Sequence, residues 1–188
     1  TGAYLKNSIE IYVYADSQDL KGAMIFPQEW TGGVAFTRYG IVSIGISPDN
    51  LSWGKRAIVH ELTHLVVHQM TFNPYISLPT WLNEGMAMYA EGDLEPGYND
   101  LLNGAIAEGN LISVRGLASP FSAYAREASL SYAQSYSLVE FLVNDYGRDK
   151  MLGLLNTFSE GSSYDGALDK AYGFDMDGLN TMWREYVT

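Results

Sequence analysis

The chain has 188 residues, enough for one sizeable hydrophobic core, and its 22 acidic and 11 basic side chains give a formal net charge of −11. This charge argues against nucleic acid or an anionic membrane surface as a partner, because both attract basic protein surfaces. The absence of cysteine excludes disulfides and thiolate metal sites, and no apolar stretch approaches the length of a membrane span.

The first fifty residues predict a small β-sheet. Their apolar residues alternate, or cluster with β-branched and aromatic neighbours, over three short segments bounded by turn residues. These segments are 8–15, 32–38 and 41–47. A short helix is expected between the first two segments, within residues 15–24, with Asp16 or Ser17 at its start.

Beyond residue 50 the apolar residues recur at helical spacing. The first helix is expected to follow Ser47, Asp49 or Asn50 as its N-cap and to run through Val67, and a loop is expected over 71–79. The later helices are expected from Thr80 to Gly92, over 98–108, from Ser129 or Ser131 to Gly147, over 149–158, over 163–172 and from 175 onward.

The order of these elements predicts the fold class. Residues 1–50 are mainly sheet and residues 51–188 are mainly helical, with no internal repeat and no low-complexity linker between them. A run of strands followed by a run of helices is typical of α+β folds. We therefore expect a single α+β domain over residues 1–188.

The first long helix contains AIVHELTHLVV, in which the polar residues have a definite spacing. His60 and His64 are four residues apart and share one helical face, while Glu61 lies about 100° around the helix from His60. A zinc hydrolase needs this set: two imidazole ligands, and a carboxylate beside the water that the ion activates. The alternative is a chance spacing on a surface helix, but polar residues between apolar flanks are costly without partners.

A catalytic zinc site needs a third protein ligand. His68, eight residues after His60, is turned about 80° away and lies two turns further on, so we expect it to interact with the terminal carbonyls of the helix instead. Glu84, in PTWLNEGMAMYAEG, is the better candidate, because its mostly apolar surroundings would otherwise bury a carboxylate without a partner. The alternative is an ordinary exposed glutamate in a first helical turn.

The segments HELTH and WLNEGMA together resemble the gluzincins, the zinc peptidases that include thermolysin and the aminopeptidase N family. Residues 65–83 separate His64 from Glu84, which is the thermolysin spacing. The layout is most similar to the compact peptidase MA-like domains of bacterial proteins. The resemblance implies a zincin-like fold with an HExxH active-site helix, one catalytic Zn²⁺ held by His60, His64 and Glu84, and Glu61 as general base.

Glu91 is a candidate hydrogen-bond partner for a zinc histidine. It lies seven residues after Glu84, which is two turns on and nearly the same helical face. The aminopeptidase N family has a glutamate in this role at this offset, whereas thermolysin uses an aspartate four residues on, where this chain has Met88. The alternative is a solvated glutamate before Gly92.

A tyrosine hydroxyl often helps to stabilise the oxyanion of peptide hydrolysis. In the aminopeptidase N family this tyrosine opens a helix that continues with small and apolar residues to a closing glycine. The segment SYAQSYSLVEFLVNDYG is similar to that pattern when Tyr132 takes the catalytic place. Tyr136, one turn later, is then expected to pack in the core.

Gluzincins commonly bind a substrate by adding it to an exposed strand edge. Either GGVAFTR or IVSIGIS is a candidate for that edge. In the first, Gly32 and Gly33 permit close backbone approach, and with Val34 they are the candidate substrate-binding residues. A simple turn before a strand explains the two glycines equally well.

The sequence favours cleavage of internal peptide bonds. Aminopeptidases of the resembled family use a GxMEN motif, whose glutamate holds the free amine of the substrate. GGVAF carries no carboxylate, and Glu29 is too loosely placed to substitute for one. Capturing an ammonium group needs a fixed anion.

We therefore expect a zinc metallopeptidase that hydrolyses peptide bonds of a peptide or protein substrate with a metal-activated water. Two alternatives stay open: a weakly active or inactive zincin-fold module that recognises peptides, and a zinc hydrolase of a non-peptide amide. The start TGAYLKNSIEIYVYA is unlike a signal peptide, so we expect that a leader was removed. An extracytoplasmic or surface-anchored location in a bacterium is favoured.

Overall fold

The computed structural model describes residues 5, 8–25, 27 and 31–188. Its strands are β1 (Glu10–Tyr14), β2 (Gly33–Phe36) and β3 (Ile41–Gly45). Its helices are α1 (Ser17–Gly22), α2 (Leu51–Thr71), α3 (Thr80–Glu91), α4 (Pro96–Glu108), α5 (Val114–Leu117), α6 (Ala125–Tyr146), α7 (Arg148–Ser159), α8 (Tyr164–Tyr172) and α9 (Met176–Val187). The predicted α+β class is confirmed. No described helix is long and apolar enough to cross a membrane.

Three helices differ from the sequence prediction, and the first of them, α2, continues past Val67 to Thr71. α6 begins at Ala125, before the predicted start at Ser129 or Ser131. Both serines lie inside the helix, where Ser129 Oγ donates to the Ala125 carbonyl and Ser131 Oγ donates to the Glu127 carbonyl. A serine bonded back to the preceding turn is compatible with a helix interior, so it does not mark the helix start. α5 is absent from the prediction because four residues are too few to show a period.

β3 is the central strand of the sheet, and this decides which strand has a free edge beside the helices. β1 pairs with β3 in parallel and β2 pairs with it antiparallel, in the order β1–β3–β2. Val42 and Ile44 of β3 are fully buried. α2 packs against both β2 and β3. β2 is therefore an edge strand that lies alongside α2.

α3 crosses α6 at close range. A Cβ on Gly85 would lie 2.3 Å from the carbonyl oxygen of Ser135 and 2.7 Å from a methyl group of Val139. Leu82, one turn earlier on α3, is fully buried. The absence of a side chain at Gly85 lets the two helices approach, and it thereby fixes the position of the neighbouring Glu84.

Replacing Gly85 with alanine is expected to destabilise the protein by about 1–3 kcal/mol. The added methyl group would meet the backbone of α6 at Ser135, which cannot rotate away as a side chain could. The free energy of unfolding in urea measures this effect. Gly104→Ala is the matched control: Gly104 also lies inside a helix, but its Cβ would meet open space. That variant is expected to gain about 0.5–1 kcal/mol from helix propensity. Equal effects of the two substitutions would contradict the close crossing.

Candidate metal centre

His60, Glu61 and His64 of HELTH lie on the side of α2 that faces α3 and the sheet. Glu61 and His64 are each only 8% exposed, and His60 is partly buried. α2 packs against the sheet and against α3. The two histidines therefore meet Glu84 of α3, which supplies the partner that polar groups at such depth require.

The three predicted ligands converge on one point. The Nε2 atoms of His60 and His64 each lie 3.4 Å from Oε2 of Glu84, and the three donor atoms lie within 4.8 Å of one another. In a tetrahedral zinc site with bonds of about 2.0–2.1 Å, neighbouring ligand atoms are about 3.3–3.4 Å apart. Both separations from Glu84 match this value, so the three residues can hold one Zn²⁺ ion and leave a fourth position for water or substrate.

The charges of the donor set also suit a cation. Burial alone would raise the pKa of Glu84, but the charge of His64 and hydrogen bonds from both histidines outweigh it and lower the pKa to about 2. Burial likewise opposes protonation of His60, but hydrogen bonds to Glu84 and Glu91 raise its pKa to about 10. This acidic pocket favours positive charge at the imidazoles, and a divalent ion would supply that charge in place of protons.

Glu91 lies behind His60, on the side away from the other donors. Its Oε1 is 2.7 Å from Nδ1 of His60, and its Oε2 accepts a hydrogen bond from Nε of Arg56 at 3.2 Å. Arg56 also donates to the carbonyl of Asp93 at 3.1 Å. A carboxylate held in this way orients the imidazole and leaves Nε2 of His60 available to an ion. Among the described residues, the buried Nδ1 of His64 has no comparable partner.

Glu61 lies against the edge strand β2. A Cβ on Gly33 would lie 2.6 Å from Oε1 of Glu61, so the carboxylate occupies space that a side chain at this position would need. Burial raises the pKa of Glu61 above its ordinary value. A raised pKa strengthens a carboxylate as a proton acceptor, which is what a general base requires.

Replacing Gly33 with alanine is expected to push the Glu61 carboxylate aside and to lower kcat by about 10- to 100-fold. Moving a catalytic group by about 1 Å can reduce the rate by this factor. Stability should change little, because the group displaced is the end of a flexible side chain. Steady-state kinetics and thermal unfolding together measure the two effects. Gly22→Ala, where the added Cβ meets nothing, is the control. Unchanged kcat in Gly33→Ala would contradict this contact.

The two candidate tyrosines of α6 lie in different surroundings. Tyr132 lines the site, with its ring centroid 6.4 Å from that of His60. Burial and the charge of Glu84 raise the pKa of Tyr132, so its hydroxyl remains a hydrogen-bond donor. Tyr136 is buried in the core and donates to Oε1 of Glu140 at 3.1 Å. Of these two tyrosines, Tyr132 is therefore the one that borders the donor set.

His68 does not join the donor set. Its ring packs against Phe72, with centroids 5.3 Å apart in an edge-to-face arrangement. His68 lies in the last turn of α2, as expected, and its interaction with the terminal carbonyls of the helix stays a prediction.

The free edge of β2 borders the site. The N–H of Gly45 donates to the carbonyl of Gly32 at 3.0 Å. This bond determines which residues of β2 direct their backbone N–H and C=O groups toward β3. The backbone groups of Gly32 and Val34 then point to β3, and those of Gly33 and Ala35 point to the free edge. The segment 41–47 contains the central strand, so of the two candidate edges only β2 is open.

The donor set lies between two halves of a cleft, and His64, Glu84 and Tyr132 border both halves. The β2 half has a volume of about 500 Å³, and the loop half has a volume of about 530 Å³. The β2 half includes Gly33, Trp53, Glu61, Glu91, Glu95 and Tyr98. The loop half includes His68, Phe72, Ile76, Leu78, Pro120 and Phe121.

The sequence prediction omitted several of these residues. Arg56 lies four residues before His60, and that helical spacing is a signal that could have suggested it. Phe121 lies in a loop, where no periodic sequence pattern indicates that it borders the cleft. Glu29, considered as a possible amine ligand, lies outside the described residues.

A family model described as the Peptidase MA superfamily matches residues 1–188 of the chain. Searches of curated proteins and of solved structures found no match. The small N-terminal sheet followed by a mainly helical region is consistent with a zincin-like fold. The roles of the site residues, and the single domain over 1–188, stay predictions.

Proposed function

The chain belongs to the Peptidase MA superfamily, and we propose that it is a zinc-dependent endopeptidase. The observation that supports this most strongly is the convergence of His60, His64 and Glu84, in which both histidine nitrogens lie 3.4 Å from the Glu84 carboxylate. When bound, Zn²⁺ supplies Lewis-acid chemistry that polarises the scissile carbonyl and makes water a stronger nucleophile.

The remaining chemistry belongs to side chains around the donor set. Glu61 accepts a proton from the attacking water and passes it to the departing amine. The hydroxyl of Tyr132 donates to the developing oxyanion. Glu91 keeps His60 oriented through the 2.7 Å contact with Nδ1. The free edge of β2 binds the substrate backbone through the outward groups of Gly33 and Ala35.

Two features support one direction for the bound peptide. Glu61 borders only the β2 half, so a departing amine within its reach lies in that half. A peptide paired antiparallel to β2, which is the more stable pairing, places its N-terminal part near Thr37 and its C-terminal part near Gly33. Thr37 borders both halves, whereas Gly33 borders only the β2 half. The carbonyl side of the scissile bond thus occupies the loop half.

The lining of the loop half favours endopeptidase action. An aminopeptidase must hold the free ammonium group of its substrate on the carbonyl side of the bond, and this needs a fixed anion. Among the described residues that border the loop half, Glu84 has the only carboxylate, and it belongs to the donor set. The part of the chain that the structure describes places no second anion there for a substrate amine.

The test is digestion of an unstructured protein, with new N-termini identified by mass spectrometry. Internal cleavage that stops with a zinc chelator and returns with added Zn²⁺ is expected. Removal of single residues from the N-terminus would replace the endopeptidase proposal with an aminopeptidase. A protein that binds zinc and peptides but cleaves nothing would be a recognition module, and cleavage confined to small non-peptide amides would indicate a different hydrolase.

A further inference from the structure

The loop half of the cleft differs in charge from the chain as a whole. The chain has 22 acidic and 11 basic side chains. Among the described residues bordering the loop half, Glu84 is the only acid, and His68 is the only basic group outside the donor set. Burial and the nearby charge of Arg38 lower the pKa of His68, which keeps its imidazole neutral. Apart from the donor set, the described side chains that border this half therefore carry no net charge.

Two connecting segments supply the apolar side chains of the loop half, and the first of them also contributes the uncharged polar residues Asn73 and Ser77. Phe72, Ile76 and Leu78 lie on the connection between α2 and α3, and Pro120 and Phe121 lie on the connection between α5 and α6. We propose that this half is a specificity pocket for a large uncharged side chain, aliphatic or aromatic, of the residue that supplies the scissile carbonyl. The inference rests on the proposed peptidase function and names a substrate class for it.

Hydrogen bonds hold both walls in place before any substrate binds. The backbone N–H and the hydroxyl of Thr80 donate to the carbonyl of Ala118, at 3.1 and 3.2 Å, which ties the second segment to the start of α3. Asn73 Nδ2 donates to the carbonyl of Ser159 at 3.1 Å, which ties the first segment to the end of α7. A pocket fixed in this way does not have to be ordered by its ligand.

The dimensions and position of the pocket agree with this role. Its volume of about 530 Å³ is in the range of small-molecule sites, about 300–1,000 Å³, and leaves room for the largest side chains. His64 and Tyr132 border it, so an occupant lies next to the reacting carbonyl. The ring of Phe121 packs edge-to-face on that of Tyr132, with centroids 5.1 Å apart. The apolar wall therefore contacts the proposed oxyanion donor directly.

The pocket is expected to favour a large apolar side chain over a charged one by about 10- to 100-fold. Burying an apolar side chain there stabilises the complex, whereas burying a charged one removes its hydration. Two readouts test this in the zinc-loaded protein. The first is the residue found before each cut in a mixture of unstructured peptides. The second is the dissociation constant of N-acetyl amino acid hydroxamates of Phe, Leu, Asp and Lys, which carry only the residue on the carbonyl side and need no turnover.

A charge placed in the wall gives a sharper test. Phe72 is 56% exposed and can be changed with little loss of core packing, so Phe72→Glu introduces a carboxylate beside the bound side chain. This variant is expected to shift the Lys-to-Phe preference by about 10-fold toward Lys in both readouts. Tyr75→Glu is the matched control, because Tyr75 lies on the same connection and is 92% exposed but does not border the pocket. Its preferences should equal those of the wild type.

The two readouts separate the possible failures. Preferential binding of the Phe and Leu hydroxamates without any peptide cleavage would support the pocket and overturn the peptidase function. Cleavage without preference for an apolar residue before the cut would support the peptidase and overturn the pocket. Equal or absent binding of all four hydroxamates, or equal responses of Phe72→Glu and Tyr75→Glu, would also overturn the pocket.

Discussion

Replacing Glu61 with glutamine is expected to lower kcat by about 10²- to 10⁴-fold, the usual contribution of a positioned general base. The amide keeps the shape of the carboxylate beside Gly33 but cannot accept the proton of water. Zinc content should stay at the wild-type level, because Glu61 does not belong to the convergent donor set. Burial raises the pKa of the wild-type carboxylate and so strengthens it as a proton acceptor.

Steady-state kinetics on a cleavable peptide and metal analysis of the same samples measure both effects. Glu185→Gln is a suitable control, since Glu185 is an exposed residue of α9 and does not border the cleft. A Glu61→Gln variant with zinc and full turnover would exclude Glu61 as the base. Loss of zinc together with activity would instead indicate that Glu61 supports the metal.

Replacing Glu84 with glutamine is expected to raise the dissociation constant of zinc by more than about 100-fold. The substitution removes the negative charge that lies 3.4 Å from both histidine nitrogens. Removing only the hydrogen bond behind a metal ligand typically lowers the metal affinity by about 10- to 100-fold. Glu91→Gln, which alters only the contact behind His60, should fall in that lower range.

Competition with a chromophoric chelator measures these constants for all variants under one set of conditions. Glu95→Gln is the matched control: Glu95 pairs with Arg56 at 3.3 Å and borders the cleft but is not one of the convergent donors. Its zinc affinity should be nearly that of the wild type. The order Glu84, then Glu91, then Glu95 is the expected ranking, and wild-type affinity in Glu84→Gln would contradict the assigned donor set.

Helical periodicity accounts for the part of the site that could be predicted from the sequence. The spacing of His60 and His64 sets their common face, and the seven residues from Glu84 to Glu91 do the same on α3. These relations depend only on the geometry of one helix, so they hold however the rest of the chain packs. Tyr132 lies on a third helix, and only the resemblance to a family singled it out among 14 tyrosines.

The rest of the site depends on contacts between residues that are far apart in sequence. The position of α3 follows from the contact of Gly85 with the Ser135 carbonyl, fifty residues away. Gly33 meets Glu61 only because β2 becomes the edge strand beside α2. Packing of this kind is decided by the whole fold and leaves no periodic signal in the sequence.

The central claim is that hydrolysis depends on one ion held by His60, His64 and Glu84. Titration of metal-free protein with Zn²⁺, read as the rate of peptide hydrolysis, tests it most directly. The rate should rise in proportion to added zinc and reach its plateau at one equivalent per chain. Full hydrolysis before any zinc is added, or no hydrolysis at any zinc concentration, would contradict the claim.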